Sequence, residues 1–300
     1  DLGTATYETA VKIHQFSNIA VPVFFILTGY LFLGRETPVT YKHIWPHIRR
    51  FLLVLLIFGG IFSLMEQVYT AHSFAPSMIL TAGRDILTGN LWDHMWYIYA
   101  AISIYLTLPV LSAFFCQKGK DPICFTALSF IVIFFVPFLL GLFSLNSGFT
   151  VPVAYYLFYV LFGGVLSRVQ FSKGFSICFF TLFLLFTVLG VFFPVINGMA
   201  VMEYTGIVVC LMASLFSAGV LCLFSGKVSG SGVHFISECT FGIYLLHPVL
   251  INLQVKVFYR YGILSHPILS MILNAAVLFF LSLGITILLR KIPVVRRYLL

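Results

Sequence analysis

Nine long apolar segments follow one another along the chain, and short polar stretches separate them. A transmembrane α-helix needs about 20 predominantly apolar residues to cross the hydrocarbon core of a bilayer. Each segment is close to that length, so the pattern predicts an all-α, polytopic transmembrane helix bundle. The nine predicted spans are Ser17–Gly34, Ile48–Met65, His94–Cys116, Pro122–Phe143, Pro152–Arg168, Phe175–Val195, Glu203–Ser225, His234–Tyr259 and Pro267–Leu289.

Most lysine and arginine residues lie in every second connection between these spans. Because basic residues collect in cytoplasmic loops, the connections after the first, third, fifth and seventh spans are predicted to lie inside. The C-terminus is then cytoplasmic and Asp1 lies outside, so we expect one further helix upstream and ten spans in the complete protein. The basic residues concerned are Arg35, Lys42, Arg49, Arg50, Lys118, Lys120, Arg168, Lys173, Lys227, Arg290, Lys291, Arg296 and Arg297.

Composition excludes a soluble protein. The chain is 61% hydrophobic and 9% charged, with a mean hydropathy of +1.07, whereas soluble domains carry about 25% charged residues. The net charge of +8 does not indicate a nucleic-acid partner, because no basic run is longer than a pair. The six cysteines form no C-x-x-C pair, so no metal site is expected. We predict one integral-membrane domain over residues 1–300, embedded in the lipid bilayer.

The stretch His94–Tyr99 opens the third predicted span at its outer end. Trp96 and Tyr97 could belong to a binding surface. An aromatic belt at the membrane interface explains them just as well. His94 is harder to explain in that way, because an imidazole at a helix mouth can act as an acid or base. Glu66 is predicted at the same outer end, where it could face His94 across the mouth or simply extend its carboxylate into water.

The eighth predicted span contains an ionisable residue, His247, which is costly inside a membrane and usually faces the bundle interior or a wet cavity. Tyr244 lies three residues earlier and therefore on the same helix face. Pro248 has no N–H to donate to the carbonyl of Tyr244, which leaves that acceptor free and favours a kink. The pattern fits a functional histidine and a structural histidine, bonded to a neighbouring helix, about equally.

The densest basic cluster is formed by Lys42, His47, Arg49 and Arg50, on the predicted inner side. A cytoplasmic ligand with several phosphates would suit this cluster, because guanidinium groups bind phosphate through two parallel hydrogen bonds. Membrane topology alone also explains basic residues here. Arg49 and Arg50 are the best candidates for a binding role.

Five stretches, in this order and spacing, resemble the acyltransferase 3 family of bacterial inner-membrane acyltransferases. Each stretch is short and hydrophobic, so the ordered set is more specific than any one motif. The resemblance covers nearly the whole chain and is closest to stand-alone members that O-acetylate surface glycans. The stretches are Val21–Leu31, Arg49–Arg50, His94–Tyr99, Tyr105–Leu111 and Phe241–His247.

The resemblance implies transfer of an acyl group, usually acetyl from acetyl-CoA, to a hydroxyl of a polysaccharide or a small extracytoplasmic acceptor. Acyl-CoA would be a co-substrate, with no bound cofactor and no metal. Arg49, Arg50 and Lys42 could hold its phosphates at the inner face. The candidate cavity and acceptor residues are His94, Trp96, Tyr97, Glu66, Tyr244 and His247.

One family feature is missing from this sequence. The family's first helix carries an arginine followed by a histidine in an R-x10-H pattern, and the histidine is thought to be catalytic. No arginine precedes the Val21–Leu31 stretch, and His14 is too close to it to be that histidine. We therefore expect the catalytic histidine to lie upstream of Asp1 and assign its role to no residue of this chain.

Two other functions would use similar residues. A transporter or flippase for a lipid-linked saccharide would need the same aromatic mouth and wet cavity, although transporters often have repeated halves and no repeat is evident. A non-catalytic membrane scaffold would need neither a histidine within a span nor a basic cluster beyond what topology requires.

Overall fold

The computed structural model describes residues 16–117, 119–145, 152–169, 172, 174–192, 195–196, 199–200, 206–224, 230–261 and 267–299. The predicted outer position of Asp1 therefore lies outside the described residues. The same holds for Lys118, Lys173 and Lys227, three of the basic residues on which the predicted orientation depends.

Every one of the nine predicted spans coincides with a helical segment, which confirms the all-α, polytopic bundle. A short antiparallel pair of strands, with Val195 opposite Ala200, is the exception among the described residues. The elements are α1 Ala20–Leu33, α2 Tyr41–Val54, a π-helical turn Leu55–Gly59, α3 Gly60–Ala71, α4 Ser77–Thr88, a 3₁₀ turn Asp93–Met95, α5 Trp96–Phe115, α6 Asp121–Phe130, a π-helical turn Ile131–Phe135, α7 Val136–Leu142, α8 Pro152–Leu166, α9 Gly174–Phe192, β1 Val195–Ile196, β2 Met199–Ala200, α10 Ile207–Phe224, α11 Ser231–Tyr261, α12 Pro267–Arg290 and α13 Pro293–Tyr298.

The chain is an integral membrane protein. Large apolar side chains cover the outward helix faces, as at Leu31 and Phe280, which are 62% and 67% exposed. Such a surface suits lipid tails rather than water. In the described part of the chain, five helical segments are long and apolar enough to cross a membrane: Tyr41–Ala71, Asp93–Phe115, Asp121–Leu142, Gly232–Gln254 and Ile272–Arg290. Four shorter apolar helices are Ala20–Leu33, Ala154–Leu166, Gly174–Leu189 and Ile207–Leu221.

The second span begins earlier and ends later than predicted. It runs without a break from Tyr41 through the π-helical turn to Ala71, whereas the sequence predicted Ile48–Met65. Its first turns are helical because Ile44 and Ile48, four residues apart, bury one face while charged and polar residues occupy the other. Lys42 and His47 are therefore helix residues, and so is Glu66 at the opposite end.

The helices form two compact units. Unit 1 comprises Asp1–Ile44 and Ile104–Lys227, and unit 2 comprises Trp45–Ser103 and Val228–Leu300. The chain passes from one to the other inside α2 and inside α5. The single domain over residues 1–300 stays a prediction.

Unit 1 contains a very close approach of two helix backbones, between α1 and α8. A Cβ atom on Gly29 would lie 1.9 Å from the carbonyl oxygen of Val160. A Cβ atom on Gly163 would lie 1.9 Å from the carbonyl oxygen of Ile26. Membrane helices associate through small residues of this kind, because no hydrophobic effect drives them together in lipid. The two glycines thus allow α1 and α8 to pack.

Unit 2 is built around an apolar core from α2, α3, α5 and α11. Polar residues flank this core on the long second span: Arg50 precedes it and Glu66 follows it. The short helix α4 runs from Ser77 to Thr88, between the second and third spans. The core residues are Val54, Leu55, Phe62, Met95, Ile98 and Leu245.

Candidate functional site

A cavity of about 730 Å³ opens in unit 2 beside two histidines, and we call it the histidine cavity. Helix α3, helix α4, the connection before α5 and the middle of α11 form its walls. Most of the side chains that line it are polar. They are Ser63, Glu66, Gln67, Thr81, Asp85, Asn90, Leu91, Trp92, Asp93, His94, His247, Pro248 and Asn252.

The imidazole of His247 is held by the backbone of its own helix. Its Nδ1 atom lies 2.7 Å from the carbonyl oxygen of Tyr244 and 3.3 Å from that of Ile243. Pro248 cannot donate an N–H to the Tyr244 carbonyl, so the ring takes the place of the missing backbone donor. A carbonyl only accepts hydrogen bonds, so Nδ1 carries the proton and Nε2 of the neutral ring has the lone pair.

His94 lies directly beside His247, with the ring centroids 5.9 Å apart. Tyr244 joins the two residues, because its hydroxyl donates to the carbonyl oxygen of His94 and its ring is 5.7 Å from the His94 ring. The Nε2 atom of His94 is buried and has no hydrogen-bond partner among the described residues. Buried polar atoms are normally paired, so this nitrogen is suited to contact a polar group that enters the cavity.

Neutral donors position two carboxylates of the cavity lining. The indole N–H of Trp92 donates to Glu66 over 3.2 Å, and the same indole stacks on Phe62 with the rings 4.7 Å apart and 6° from parallel. The Ser63 hydroxyl donates to Asp85 over 2.6 Å. The lining therefore combines an aromatic ring with hydrogen-bond acceptors.

A second pocket, of about 240 Å³, lies where the start of the second span meets the C-terminal helix, and we call it the arginine pocket. The guanidinium carbons of Arg49 and Arg297 lie 5.3 Å and 5.4 Å from the Tyr298 ring. Arg50 stacks in the same way over Phe241 of α11, at 5.4 Å. Stacking of this kind orients a guanidinium group without itself using the N–H donors. The lining residues are Pro46, His47, Arg49, Arg50, Arg297 and Tyr298.

The arginine pocket lies toward the start of the second span, and the histidine cavity lies toward its end. Sixteen residues separate Arg50 from Glu66 on the second span, which corresponds to about 24 Å along an α-helix. On α11, Phe241 contacts Arg50, and His247 lies six residues or about 9 Å farther on. The core residues Val54, Leu55 and Phe62 lie between Arg50 and Glu66 on the second span.

A family model described as an acyltransferase domain matches residues 2–291 of the chain. The chain belongs to the acyltransferase 3 family. This confirms the resemblance on which the sequence interpretation rested. Neither the curated proteins nor the solved structures contain a match to the chain.

This acyltransferase brings three of its predicted acceptor residues, Glu66, His94 and His247, to one cavity. The predicted pairing of Tyr244 and His247 on one face is also observed, since both contact His94. The aromatic residues predicted for the mouth lie elsewhere. Trp96 and Tyr97 do not line the histidine cavity, and Tyr97 instead packs on Tyr244 with the rings 5.6 Å apart.

Sequence reasoning missed several residues of these two sites. Trp92 supplies the aromatic ring that was predicted for Trp96, and Asp85 lines the cavity from α4. Arg297 and Tyr298 form one wall of the arginine pocket, whereas the tail had been interpreted as a topological signal. Lys42 begins the same helix as Arg49 but is not part of the pocket lining.

Some signal for these residues exists in the sequence. Trp92 lies just before the predicted third span, where an interfacial side chain can turn into a cavity as readily as into lipid. The tail sequence Pro293–Tyr298 has proline at a helix start, followed by two arginines and a tyrosine. That pattern predicts a short basic helix, although not its position beside Arg49.

Proposed function

We propose that this acyltransferase moves an acyl group, in the simplest case acetyl, from acyl-CoA to a hydroxyl of a cell-surface glycan. The observation that carries the proposal is that two contrasting environments lie along the same long span. One end offers three arginines to an anion, and the other offers two histidines, carboxylates and an indole to a polyol. A reaction between a polyanionic donor and a sugar acceptor needs both environments.

The arginine pocket would bind the phosphates of acyl-CoA. Guanidinium groups form paired, charge-assisted hydrogen bonds to phosphate oxygens, and three of them line this pocket. Phe241, which contacts Arg50, begins an apolar and aromatic path along α11 toward His247. An extended pantetheine arm would follow this path and present its thioester to the histidine cavity.

The distribution of basic residues supports one orientation for this reaction. The positive-inside rule assigns the arginine pocket and the C-terminus to the cytoplasm, where acyl-CoA is made. The histidine cavity then opens on the far side of a bacterial inner membrane, where the surface glycan is exposed. The acceptor never has to cross the bilayer, because only the acyl group does.

The proposed chemistry at the cavity uses His247 as general base, in place of the histidine that the family resemblance implies in its first helix. Its Nε2 lone pair would take the proton from the acceptor hydroxyl while the hydroxyl oxygen attacks the thioester carbonyl. The carbon–sulfur bond breaks, a carbon–oxygen ester bond forms, and the proton passes to the departing CoA thiolate. His94 would hold the acceptor through its buried Nε2.

Transfer of label is the direct test. The purified protein, in proteoliposomes, is supplied with acetyl-CoA labelled in the acetyl group and with a membrane glycan fraction. We expect label to enter the glycan as an ester that mild base removes. A transporter or flippase would move the saccharide across the bilayer without acetylating it, and a scaffold would do neither, so each outcome separates one alternative from the proposal.

Removal of one guanidinium from the arginine pocket is expected to weaken donor binding. A hydrogen bond to a charged group contributes about 1.5–3 kcal/mol, so Arg49→Gln or Arg297→Gln should raise the KM for acyl-CoA by about 10-fold or more. The KM for the acceptor should change little. Arg84→Gln, an exposed arginine outside the pocket, is the matched control. An unchanged donor KM in both pocket variants would contradict the assignment.

A further inference from the structure

Three carboxylates line the histidine cavity, from Glu66, Asp85 and Asp93, and the lining contains neither lysine nor arginine. None of these carboxylates forms an ion pair with a lysine or arginine among the described residues. Only the two histidines of the lining can therefore bring positive charge to the cavity.

Neutral donors hold two of these carboxylates in place. Trp92 donates to Glu66 over 3.2 Å, and Ser63 and Asn90 donate to the two oxygens of Asp85 over 2.6 Å and 3.4 Å. An ionised carboxylate has about four acceptor positions. Each group therefore retains acceptor capacity for hydroxyl or amino groups of a ligand.

The arrangement suits a polyol better than a metal ion. Among the described residues, no group of three or more histidine, cysteine, aspartate or glutamate side chains could hold a metal. The carboxylates are instead spread around a cavity whose volume of about 730 Å³ lies in the range of small-molecule sites, about 300–1,000 Å³. The amides of Gln67 and Asn252 add donors and acceptors, and the Trp92 ring offers an apolar face.

We propose that the histidine cavity binds a saccharide unit without phosphate, sulfate or carboxylate groups, and that its carboxylates exclude anionic sugars. The inference rests on the proposed function, because it treats this cavity as the acceptor site. Like charges repel each other, whereas sugar hydroxyls donate to carboxylates. Specificity for the acceptor then comes from repulsion of the wrong sugar as much as from contacts to the right one.

Binding is measured without acyl transfer, through the fluorescence of Trp92. The purified protein in detergent is titrated with methyl glucoside, methyl N-acetylglucosaminide, methyl glucuronide and glucose 6-phosphate. A fluorescence change that disappears in Trp92→Phe reports occupancy of this cavity. We expect the two uncharged sugars to bind at least tenfold more tightly than the two anionic sugars. Equal or tighter binding of the anionic sugars would overturn the proposal.

Removal of the charge tests the cause of this discrimination. The double variant Glu66→Gln, Asp85→Asn keeps side-chain size and one acceptor oxygen at each position but loses two charges. Its preference for uncharged sugars should fall to about threefold or less, while Glu36→Gln, an exposed carboxylate outside the cavity, should keep the wild-type preference. An unchanged preference in a monodisperse double variant would show that the carboxylates are not the cause.

The inference and the proposed function fail in different ways. If uncharged sugars bind at Trp92 but no labelled acetyl group is transferred, the acyl transfer is wrong and the acceptor preference stands. If acetyl transfer occurs equally to uncharged and anionic acceptors, the preference is wrong and acyl transfer stands.

Discussion

Replacement of His247 by alanine is expected to lower acyl transfer by about 100-fold or more, because general-base catalysis contributes about 100- to 10,000-fold. The donor KM should stay near the wild-type value, since His247 lies about 9 Å along α11 from the residue that contacts Arg50. The measurement is the initial rate of labelled acetyl transfer in proteoliposomes at several acyl-CoA concentrations. A structural role alone would change protein yield rather than the rate per folded molecule.

Two further variants separate the proton-transfer role of His247 from a structural role. In His247→Asn, the side-chain amide can occupy the position of Nδ1 and donate to the Tyr244 carbonyl, but it has no basic lone pair. This variant should fold like the wild type and be as inactive as His247→Ala. His234 lies on the same helix, and its side chain is 78% exposed. The control variant His234→Ala should therefore keep full activity. Wild-type turnover in His247→Asn would refute the general base.

The largest effect on stability is expected for Gly29→Ala and Gly163→Ala. The added methyl group would lie 1.9 Å from a backbone carbonyl oxygen of the facing helix, far inside van der Waals contact. A backbone oxygen cannot rotate away as a side chain can, so α1 and α8 must move apart. Overpacking costs about 1–3 kcal/mol and occasionally more, and we expect about 3 kcal/mol or more at each position.

Thermal unfolding in detergent measures this cost. Gly284→Ala is the matched control, because this glycine lies inside α12 and its added methyl group would meet no atom of a neighbouring element within 4 Å. Alanine favours a helix over glycine by about 1 kcal/mol, so the control should melt at the same or a higher temperature. Both interface variants should melt well below the wild type. A melting temperature at or above the wild-type value in Gly29→Ala would show that the close approach is not required.

The helices of this protein were predictable because their signal is local. Length and apolar composition determine which segments can cross a membrane, and all nine predicted spans are helical in the structure. The error at the second span arose because the local signal and the packing disagree there. Lys42 and His47 made the first turns look like a loop, while burial of Ile44 and Ile48, which depends on neighbouring helices, makes them helical.

The site was predictable only where one element carries the chemistry. His247, Pro248 and the free carbonyl of Tyr244 follow from a single helix, so the sequence sufficed. Trp92 and Asp85 belong to different elements, and their place in one cavity depends on how α4 and the following connection fold back against α3. Arg297 and Arg49 line one pocket although more than two hundred residues separate them along the chain, and no pattern within either segment encodes that proximity.

The missing N–H of Pro248 leaves a backbone carbonyl that fixes which nitrogen of His247 carries the proton. Some soluble hydrolases use an aspartate for this purpose. In a serine protease, a buried carboxylate fixes which imidazole nitrogen carries the proton. A buried carboxylate would place a charge inside the bilayer, which is costly. Here an uncharged backbone oxygen serves instead, so the orientation of the imidazole is set at no electrostatic cost. A proline and the histidine before it should therefore be regarded as one functional unit, and in designed membrane enzymes the pair could be introduced together into any helix that faces a wet cavity.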